Sequence, residues 1–325
     1  GAHLFKAEVP GPSKDKISSR ISDTAKLLWG VYLIFTGVEI VLLMLAGVTL
    51  FDSMCITFGT MATGGFAPLN SSIAHFSSAY VHYIIIFFMT LAGINFNLHY
   101  WALRGKPRHY FRNPELRLFI CIIVGSTIFI TLIRSFTGTK PSEEMMRDSL
   151  FQTVSLITTT GFVTKDYELW PAVTQILLFL LMFVGGCASS TGGAIKNVRI
   201  LVLFKYIGAE VKKLFYPHGV FPIKLEGKPV TENLVSNIMA FVLLYILFFI
   251  FGTIAVSCFG MDIVSAAGAV AATLGNVGPG LGTVGPIDNF ADVPAAGKWI
   301  LSFLMLAGRL EIFTVVVLFT GRFWK

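Results

Sequence analysis

The sequence predicts an all-α membrane protein in which one unit, a long helix, a short helix, a loop and a second long helix, is repeated along the chain. The first observation is composition: 54% of the 325 residues are hydrophobic, 13% are charged, and the mean hydropathy is +0.74. Soluble domains carry about 25% charged residues. The second observation is a series of apolar stretches of bilayer-spanning length. The third is a short segment repeated between them.

The apolar stretches define about six crossings, because roughly 20 apolar residues span a bilayer. A basic arm at residues 1–23 precedes them. They lie at residues 24–51, 80–103, 116–136, 170–207 with one interruption, 231–259 and 296–323. The chain is therefore expected to be a multi-pass protein surrounded by membrane lipid.

The positive charge of the chain is concentrated where it indicates topology. The net charge is +7, and most of the 25 Lys and Arg residues lie within residues 6–26, 104–117 and 196–228 and at the C-terminus. If successive crossings alternate in direction, these clusters all lie on one side, which the positive-inside rule identifies as the cytoplasm. The basic balance then reflects orientation in the membrane, and no nucleic-acid partner is expected.

Three short segments between paired crossings resemble one another. They read "DSMCITFGTMATGGF" from Asp52, "DSLFQTVSLITTTGF" from Asp148 and "DIVSAAGAVAATLGNVGPG" from Asp262. Because Asp is a favourable N-cap, each segment is predicted to begin a helix at its Asp, enter the membrane from outside and stop half-way. The negative end of the helix dipole then points into the bilayer interior, where it favours a cation.

Each short helix is followed by an irregular stretch: "TGGF" at 63–66, "TTGF" at 159–162 and "NVGP" at 276–279. Irregular backbone at membrane depth is tolerated only where it is buried in protein or lines a water-filled path. Glycine frees backbone angles that let successive carbonyl oxygens face one axis and replace the hydration shell of a monovalent cation. The stretches therefore predict a selectivity filter. The alternative is a set of ordinary re-entrant loops with turn glycines, which the threefold repetition disfavours.

These motifs resemble the Trk/Ktr/HKT superfamily of potassium transporters, and within it the bacterial TrkH-type potassium uptake subunits. The resemblance rests on "ATGGF", "TTTGF", "NVGPGLG", "GGCASSTGGAIK" and "LAGRLEIF". It implies potassium uptake along a central ion pathway surrounded by four helix–pore helix–filter–helix repeats, with K⁺ bound at the filter. The filter positions that it implies are Thr63, Gly64, Gly65, Thr159, Thr160, Gly161, Asn276, Val277 and Gly278.

The chain contains three of these four potassium-channel-like repeats. The resemblance assigns residues 24–103, 116–207 and 231–325 to the second, third and fourth repeats, joined by cytoplasmic segments at 104–115 and 208–230. A closed ring needs a fourth quadrant, so the first repeat is expected upstream of Gly1 in a longer protein. Residues 1–23 are then expected to be a cytoplasmic basic arm.

The fourth crossing is interrupted by "GGCASSTGGA" at residues 185–194, whose small residues cannot maintain a stiff lipid-facing helix. The resemblance implies an intramembrane loop below the filter that gates the pathway. The gate residues that it implies are Gly185, Gly186, Ser189, Ser190, Thr191, Gly192, Gly193 and Arg309. The alternative for the loop is a helix-packing interface of small residues.

Arg309 lies near the middle of the last predicted crossing, where a charge is costly and faces a cavity or a partner. Glu311 lies on a different helix face at this spacing and is not the expected partner. The resemblance places this arginine in the ion pathway, where its charge opposes cation passage. The alternative is a structural ion pair with Glu39, another charge at membrane depth.

The resemblance also implies a setting. It implies the bacterial cytoplasmic (inner) membrane, a homodimer, and a cytosolic nucleotide-binding regulatory subunit, TrkA-like or KtrA-like, that docks on the basic loops. K⁺ is the transported ion, and no covalent cofactor is expected. An ion-coupled secondary transporter is the alternative function, although many such transporters use inverted repeats and the repeats here share one orientation. A membrane enzyme or scaffold would need a polar catalytic cluster, which the sequence does not show.

Overall fold

The structure, a computed structural model, describes residues 21–138, 141–225, 227–319 and 324, with only the backbone of Ile21 and Ser22. The basic arm expected at 1–23 therefore lies almost entirely outside the described residues, and so does the end of the last predicted crossing, at 320–323. Helices dominate the described ranges.

The first of the three repeats predicted in this chain, called the first repeat below, contains two long helical regions with a short helix between them. Its second helical region is bent by 104° where one helix gives way to the next. A short connecting helix then leads to the second repeat. The elements are α1 (Ile21–Leu45), α2 (Leu50–Met61), a 3₁₀ turn (Ser72–His75), α3 (Ala79–Gly93), α4 (Phe96–Leu103) and α5 (Arg108–Arg112).

The second repeat follows the same order, and its second helical region is interrupted more widely. One helix ends at Val184, residues 185–196 form an irregular loop, and a helix resumes at Asn197. The elements are α6 (Pro114–Phe136), α7 (Glu143–Ile157), a 3₁₀ turn (Tyr167–Leu169), α8 (Ala172–Val184) and α9 (Asn197–Phe215).

The third repeat begins after a small antiparallel hairpin in which Lys224 pairs with Pro229. Its second helical region is bent by 115°. The elements are β1 (Lys224–Leu225), β2 (Lys228–Pro229), α10 (Glu232–Ser257), α11 (Ile263–Leu274), a 3₁₀ turn (Gly282–Val284), α12 (Ala295–Arg309) and α13 (Ile312–Leu318).

Two crossings that the sequence predicted as continuous helices are broken. Helices α1, α6 and α10 are long and apolar enough to span a membrane alone, whereas α3 with α4 and α12 with α13 qualify only as bent pairs. At the first break, Asn95 caps α4 by accepting a hydrogen bond from Asn97 N at 2.9 Å. At the second, Glu311 has φ 63°, which a helix interior does not accommodate. The prediction of uninterrupted helices was wrong at both places.

Packing between successive repeats brings the ends of the short helices together. The second helix of each repeat contacts the short helix of the next: α3 contacts α7, and α8 contacts α11. Side chains such as Phe88, Phe119 and Phe151 fill the interior between the first two repeats with at most 2% exposure. Large apolar side chains on the outer faces of the long helices, including Trp29 and Phe251, are exposed, as expected for surfaces that face lipid.

Candidate functional site

The short helices α2, α7 and α11 begin differently from the prediction that an Asp caps each of them. Thr49 caps α2 and Ser142 caps α7, each accepting a backbone N–H of the first turn. Asp148 instead lies inside α7 and is 3% exposed. Asp262 does cap α11. The prediction was therefore correct for Asp262 and wrong for Asp52 and Asp148, because an upstream Ser or Thr is also a favourable N-cap.

Beyond each short helix the backbone turns in the same way. Three non-glycine residues occupy the left-handed region at equivalent points: Thr63 (φ 50°), Thr159 (φ 58°) and Asn276 (φ 56°). Two residues later, three glycines also have positive φ: Gly65 (65°), Gly161 (86°) and Gly278 (111°). A positive φ is uncommon outside glycine. Its recurrence indicates that the three segments share one backbone architecture, and all nine sequence-predicted filter residues lie within them.

The three segments lie side by side. A Cβ atom on Gly65 would lie 2.0 Å from the carbonyl oxygen of Thr160, and one on Gly161 would lie 2.0 Å from that of Val277. No side chain fits at either contact. A Cβ on Gly278 would meet only the Cα of Gly161, at 4.0 Å. Within the described ranges, the third segment therefore has a neighbour on one side and an open side opposite.

The three segments are called the filter segments below, after their predicted function. The loop at residues 185–196, called the intramembrane loop below, contacts the second and third of them directly. Gly193 N donates to the hydroxyl of Thr159 at 2.7 Å, and Ala194 N donates to Gly275 O at 3.1 Å. Four of its residues have positive φ: Gly185 (75°), Ser189 (55°), Ala194 (56°) and Lys196 (73°). The loop is thus fixed against the second and third filter segments in a conformation that is costly for its non-glycine residues.

Two further hydrogen bonds anchor the intramembrane loop. Cys187 N donates to Gly93 O at 2.8 Å, at the break between α3 and α4. Ala188 N donates to Oε1 of Glu115 at 2.7 Å, and Glu115 is buried at the start of α6. Sequence reasoning missed Glu115, because an acid after a proline is a common way to begin a helix and carries no sign of burial.

Arg309 is the last residue of α12, and its Nη1 donates to the carbonyl oxygen of Thr191 in the intramembrane loop at 2.9 Å. The guanidinium is exposed. Glu311 forms an ion pair with Arg199 of α9. Neither Arg309 nor Glu39 forms an ion pair with any residue that the structure describes. The alternative in which Arg309 and Glu39 form a structural bridge is therefore wrong.

Gly308, beside Arg309, is a close-contact position that the sequence did not single out. A Cβ there would lie 1.9 Å from Leu274 O, at the end of α11. The side-chain amide of Asn276 donates to Met305 O at 3.3 Å across the same contact. The last turn of α12 therefore packs against the start of the third filter segment.

The chain matches, over residues 1–325, the protein family described as TrkH, cation transport protein. It is 41% identical over 328 residues to the Trk system potassium uptake protein TrkH of Salmonella typhimurium (strain LT2), covering 100% of this chain and 68% of that protein. It is 34% identical to the Trk system potassium uptake protein TrkG of Escherichia coli (strain K12), covering 100% and 67%. The crystal structure of the potassium transporter TrkH from Vibrio parahaemolyticus superposes with a TM-score of 0.90 at 38% identity, covering 99% of this chain and 70% of that one.

Proposed function

Because the chain belongs to the TrkH family of cation transport proteins, we propose that it conducts potassium ions across the bacterial inner membrane through a filter of backbone carbonyls. Relatives that cover the whole chain are named as potassium uptake proteins of Trk systems. The observation that carries the proposal is the shared backbone geometry of the three adjacent segments, with a left-handed residue and a glycine at equivalent points. Nothing in ordinary helix packing requires that repetition.

The proposed mechanism begins with dehydration of the ion. Carbonyl oxygens of the filter residues replace water around K⁺, and the negative ends of α2, α7 and α11 point toward the same region and favour a cation there. Hydroxyl groups at Thr63 and Thr159 add polar atoms at the inner end. Glycine at Gly65, Gly161 and Gly278 permits this approach, since two of the three positions have no room for a Cβ.

The intramembrane loop and Arg309 are proposed to close the pathway below the filter. Opening requires the loop to leave the hydrogen bonds that Gly193 and Ala188 donate. Arg309 bonds the loop through Thr191 O and places a positive charge on the cation's route. This arrangement opposes cation passage in the described conformation.

Regulation and assembly remain predictions drawn from the family. A cytosolic nucleotide-binding subunit, TrkA-like or KtrA-like, is proposed to dock on the side that carries the loop after α9. In the sequence, Lys212 and Lys213 precede this loop, in which the side chain of Val220 is 88% exposed. A homodimer is also proposed, and the repeat boundaries at 24–103, 116–207 and 231–325 stay predictions.

The test is ion flux into liposomes that carry the full-length protein, with K⁺ and Na⁺ compared. Gly278→Ser adds a side chain at a filter position with positive φ, where a Cβ meets only the Cα of Gly161, at 4.0 Å, among the described residues. Gly260→Ser is the matched control, because Gly260 also has positive φ and a Cβ there meets nothing within 4 Å. K⁺-selective flux that loses selectivity only in Gly278→Ser supports the filter. If the ion selectivity of the flux stayed unchanged both in this variant and in Gly161→Ser, where the Cβ has less room, structural loops in an ion-coupled transporter would be favoured.

A further inference from the structure

A 3₁₀ turn follows the filter segment in each of the first two repeats. It contacts the residues that directly follow the filter segment of the next repeat, which are called the filter exit of that repeat. At the first junction, the turn Ser72–His75 meets the residue that follows the second filter segment. The hydroxyl of Ser72 accepts a hydrogen bond from Val163 N at 3.2 Å, and Ala74 N donates to Val163 O at 3.1 Å. The turn thus holds both backbone polar groups of one residue.

At the second junction, the turn Tyr167–Leu169 holds backbone groups of two residues with its side chains. The hydroxyl of Tyr167 donates to Gly280 O at 2.8 Å, and Tyr167 is fully buried. Oε1 of Glu168 accepts a hydrogen bond from Gly282 N. Both partners lie just beyond Gly278, the last glycine of the third filter segment. The repeats are therefore tied in one direction, each turn to the next filter exit.

The third filter exit is held between two surfaces. On one side lies its own short helix: Thr283 N donates to Ser265 Oγ at 2.9 Å, and a Cβ on Gly268 would lie 2.5 Å from Leu281 N. On the other side lies the turn of the second repeat. Through Gly280 and Gly282, the turn is therefore the restraint that the neighbouring repeat places on this strand.

We propose that Tyr167 and Glu168 are positioning residues that set K⁺ selectivity by fixing the exit of the third filter strand against the second. The inference rests on the proposed function and deepens it, because it assigns selectivity to groups outside the filter motifs. Neither side chain touches the ion. They act through Gly280 and Gly282, whose placement determines where the preceding carbonyls point, and a selective site depends on such placement.

Conservative substitutions can remove the hydroxyl of Tyr167 or the charge of Glu168 and leave the rest of each side chain nearly unchanged. Tyr167→Phe removes the hydroxyl and leaves the buried Gly280 carbonyl without that donor. Tyr245→Phe is its matched control: Tyr245 is 1% exposed, and its hydroxyl has no hydrogen-bond partner in the part of the chain that the structure describes. Glu168→Gln keeps an acceptor oxygen for Gly282, whereas Glu168→Ala removes it.

The experiment measures the ratio of K⁺ to Na⁺ permeability from reversal potentials of the full-length protein in liposomes. We expect Tyr167→Phe and Glu168→Ala to lower the ratio by roughly three- to tenfold, the change that one hydrogen bond of ordinary strength allows. Total K⁺ flux should change less, while Tyr245→Phe and Glu168→Gln should keep the wild-type ratio. Rescue by Gln separates positioning from a general loss of packing.

The outcomes also separate this inference from the proposed function. If Gly278→Ser abolishes selectivity while Tyr167→Phe and Glu168→Ala keep it, the filter stands and the positioning role is wrong. If none of the three changes the ratio, the proposed filter itself is wrong. Should Tyr167→Phe fail to fold by size-exclusion chromatography, the comparison of Glu168→Ala with Glu168→Gln decides, because equal ratios in that pair would also overturn the role.

Discussion

The position of Arg309 at the end of α12 determines what its charge can do. Inside a continuous crossing, a buried guanidinium would be energetically costly and would need a carboxylate as its partner. At the break between α12 and α13 the guanidinium is exposed and donates a hydrogen bond to Thr191 O of the intramembrane loop. A single side chain therefore combines a latch on the loop with a positive charge on the proposed cation route.

Replacing Arg309 by Ala should increase K⁺ flux, because both the latch and the charge are lost. A barrier lowered by about 1.4 kcal/mol corresponds to a tenfold rise in rate. K⁺ flux into liposomes measures this change. The flux of Arg309→Lys should lie between those of wild type and Arg309→Ala, and Arg108→Ala, on the exposed helix α5, is the control. A folded Arg309→Ala protein with wild-type flux would remove both roles.

Glu168 makes stability depend on pH in a defined direction. Burial raises the pKa of its carboxyl and the charges of Asp166 and Asp288 add to this, whereas the hydrogen bond from Gly282 acts in the opposite sense. A raised folded-state pKa means that the folded state holds the proton more tightly than the unfolded state. Its contribution to stability is complete below the unfolded pKa and is lost as pH rises through the folded pKa.

Glu168→Gln should therefore be more stable than wild type near neutral pH, and the difference should shrink toward about pH 4, near the pKa of an unperturbed Glu. Glutamine is neutral throughout and keeps the acceptor for Gly282. Thermal unfolding in detergent at several pH values measures the difference, and subtracting the two proteins cancels all other titrations. A difference that stays constant with pH would contradict the raised pKa.

At the scale of elements, the tether from α6 to the intramembrane loop can be tested separately from the filter. Glu115→Ala should loosen the loop and raise K⁺ flux, because a hydrogen bond to a charged group contributes about 1.5–3 kcal/mol. Glu115→Gln keeps an acceptor for Ala188 N and should stay close to wild type. Cys187, buried in the loop, reports its position: with the other three cysteines replaced by Ser, thiol labelling should quicken only in Glu115→Ala.

Equal labelling of Cys187 in the Ala and Gln variants would show that the carboxylate does not restrain the loop. Faster labelling without faster flux would show that the loop moves but does not limit conduction. The two readouts thus separate the loop's mobility from its proposed function as a gate.

The irregular backbone at residues 63–66, 159–162, 276–279 and 185–196 was predictable because its signals are local. Glycine, threonine and asparagine clusters interrupt apolar runs, and that interruption is visible in the letters around Gly65, Gly161 and Gly278. The helical membrane fold that these signals predicted is confirmed by the likeness to TrkH over 99% of the chain.

The remaining breaks were not predictable because they depend on tertiary contacts. Ile94 and Leu310 lie in apolar runs whose composition fits an unbroken helix. The first break is stabilised by Phe96 N, which donates to Ser189 O of the intramembrane loop at 3.1 Å, and the second by the pairing of Glu311 with Arg199. Because those partners are far away in sequence, no local sequence pattern predicts the two breaks.

At the scale of the whole molecule, the repeats are joined head to tail. In the first two repeats, the second helix packs on the short helix of the next repeat, and the 3₁₀ turn is tied to the next filter exit. The three repeats therefore progress around one axis in one direction, as in a channel-like ring. An inverted pair of repeats, common in secondary transporters, would not produce this order.

This order requires the loop after α9 and the loop after the third filter segment to lie on opposite sides of the membrane. The first loop follows Lys212 and Lys213, and the second carries Asp288 and Asp292. Basic residues collect on the cytoplasmic side. The residues that follow the filter segments, on the acidic side, then face the outside, as the proposed route through the filter and then past the intramembrane loop requires.

A cysteine at Ile287 should therefore react with a membrane-impermeant thiol reagent added to intact spheroplasts, and one at Val220 should react only after permeabilisation. Both side chains are well exposed, at 71% and 88%, so access to the reagent and not burial decides the result. The background is a variant with the four native cysteines replaced by Ser. Because charge and pore direction predict the same orientation independently, reversed labelling would contradict both, whereas labelling of both sites in intact spheroplasts would contradict the crossing between them.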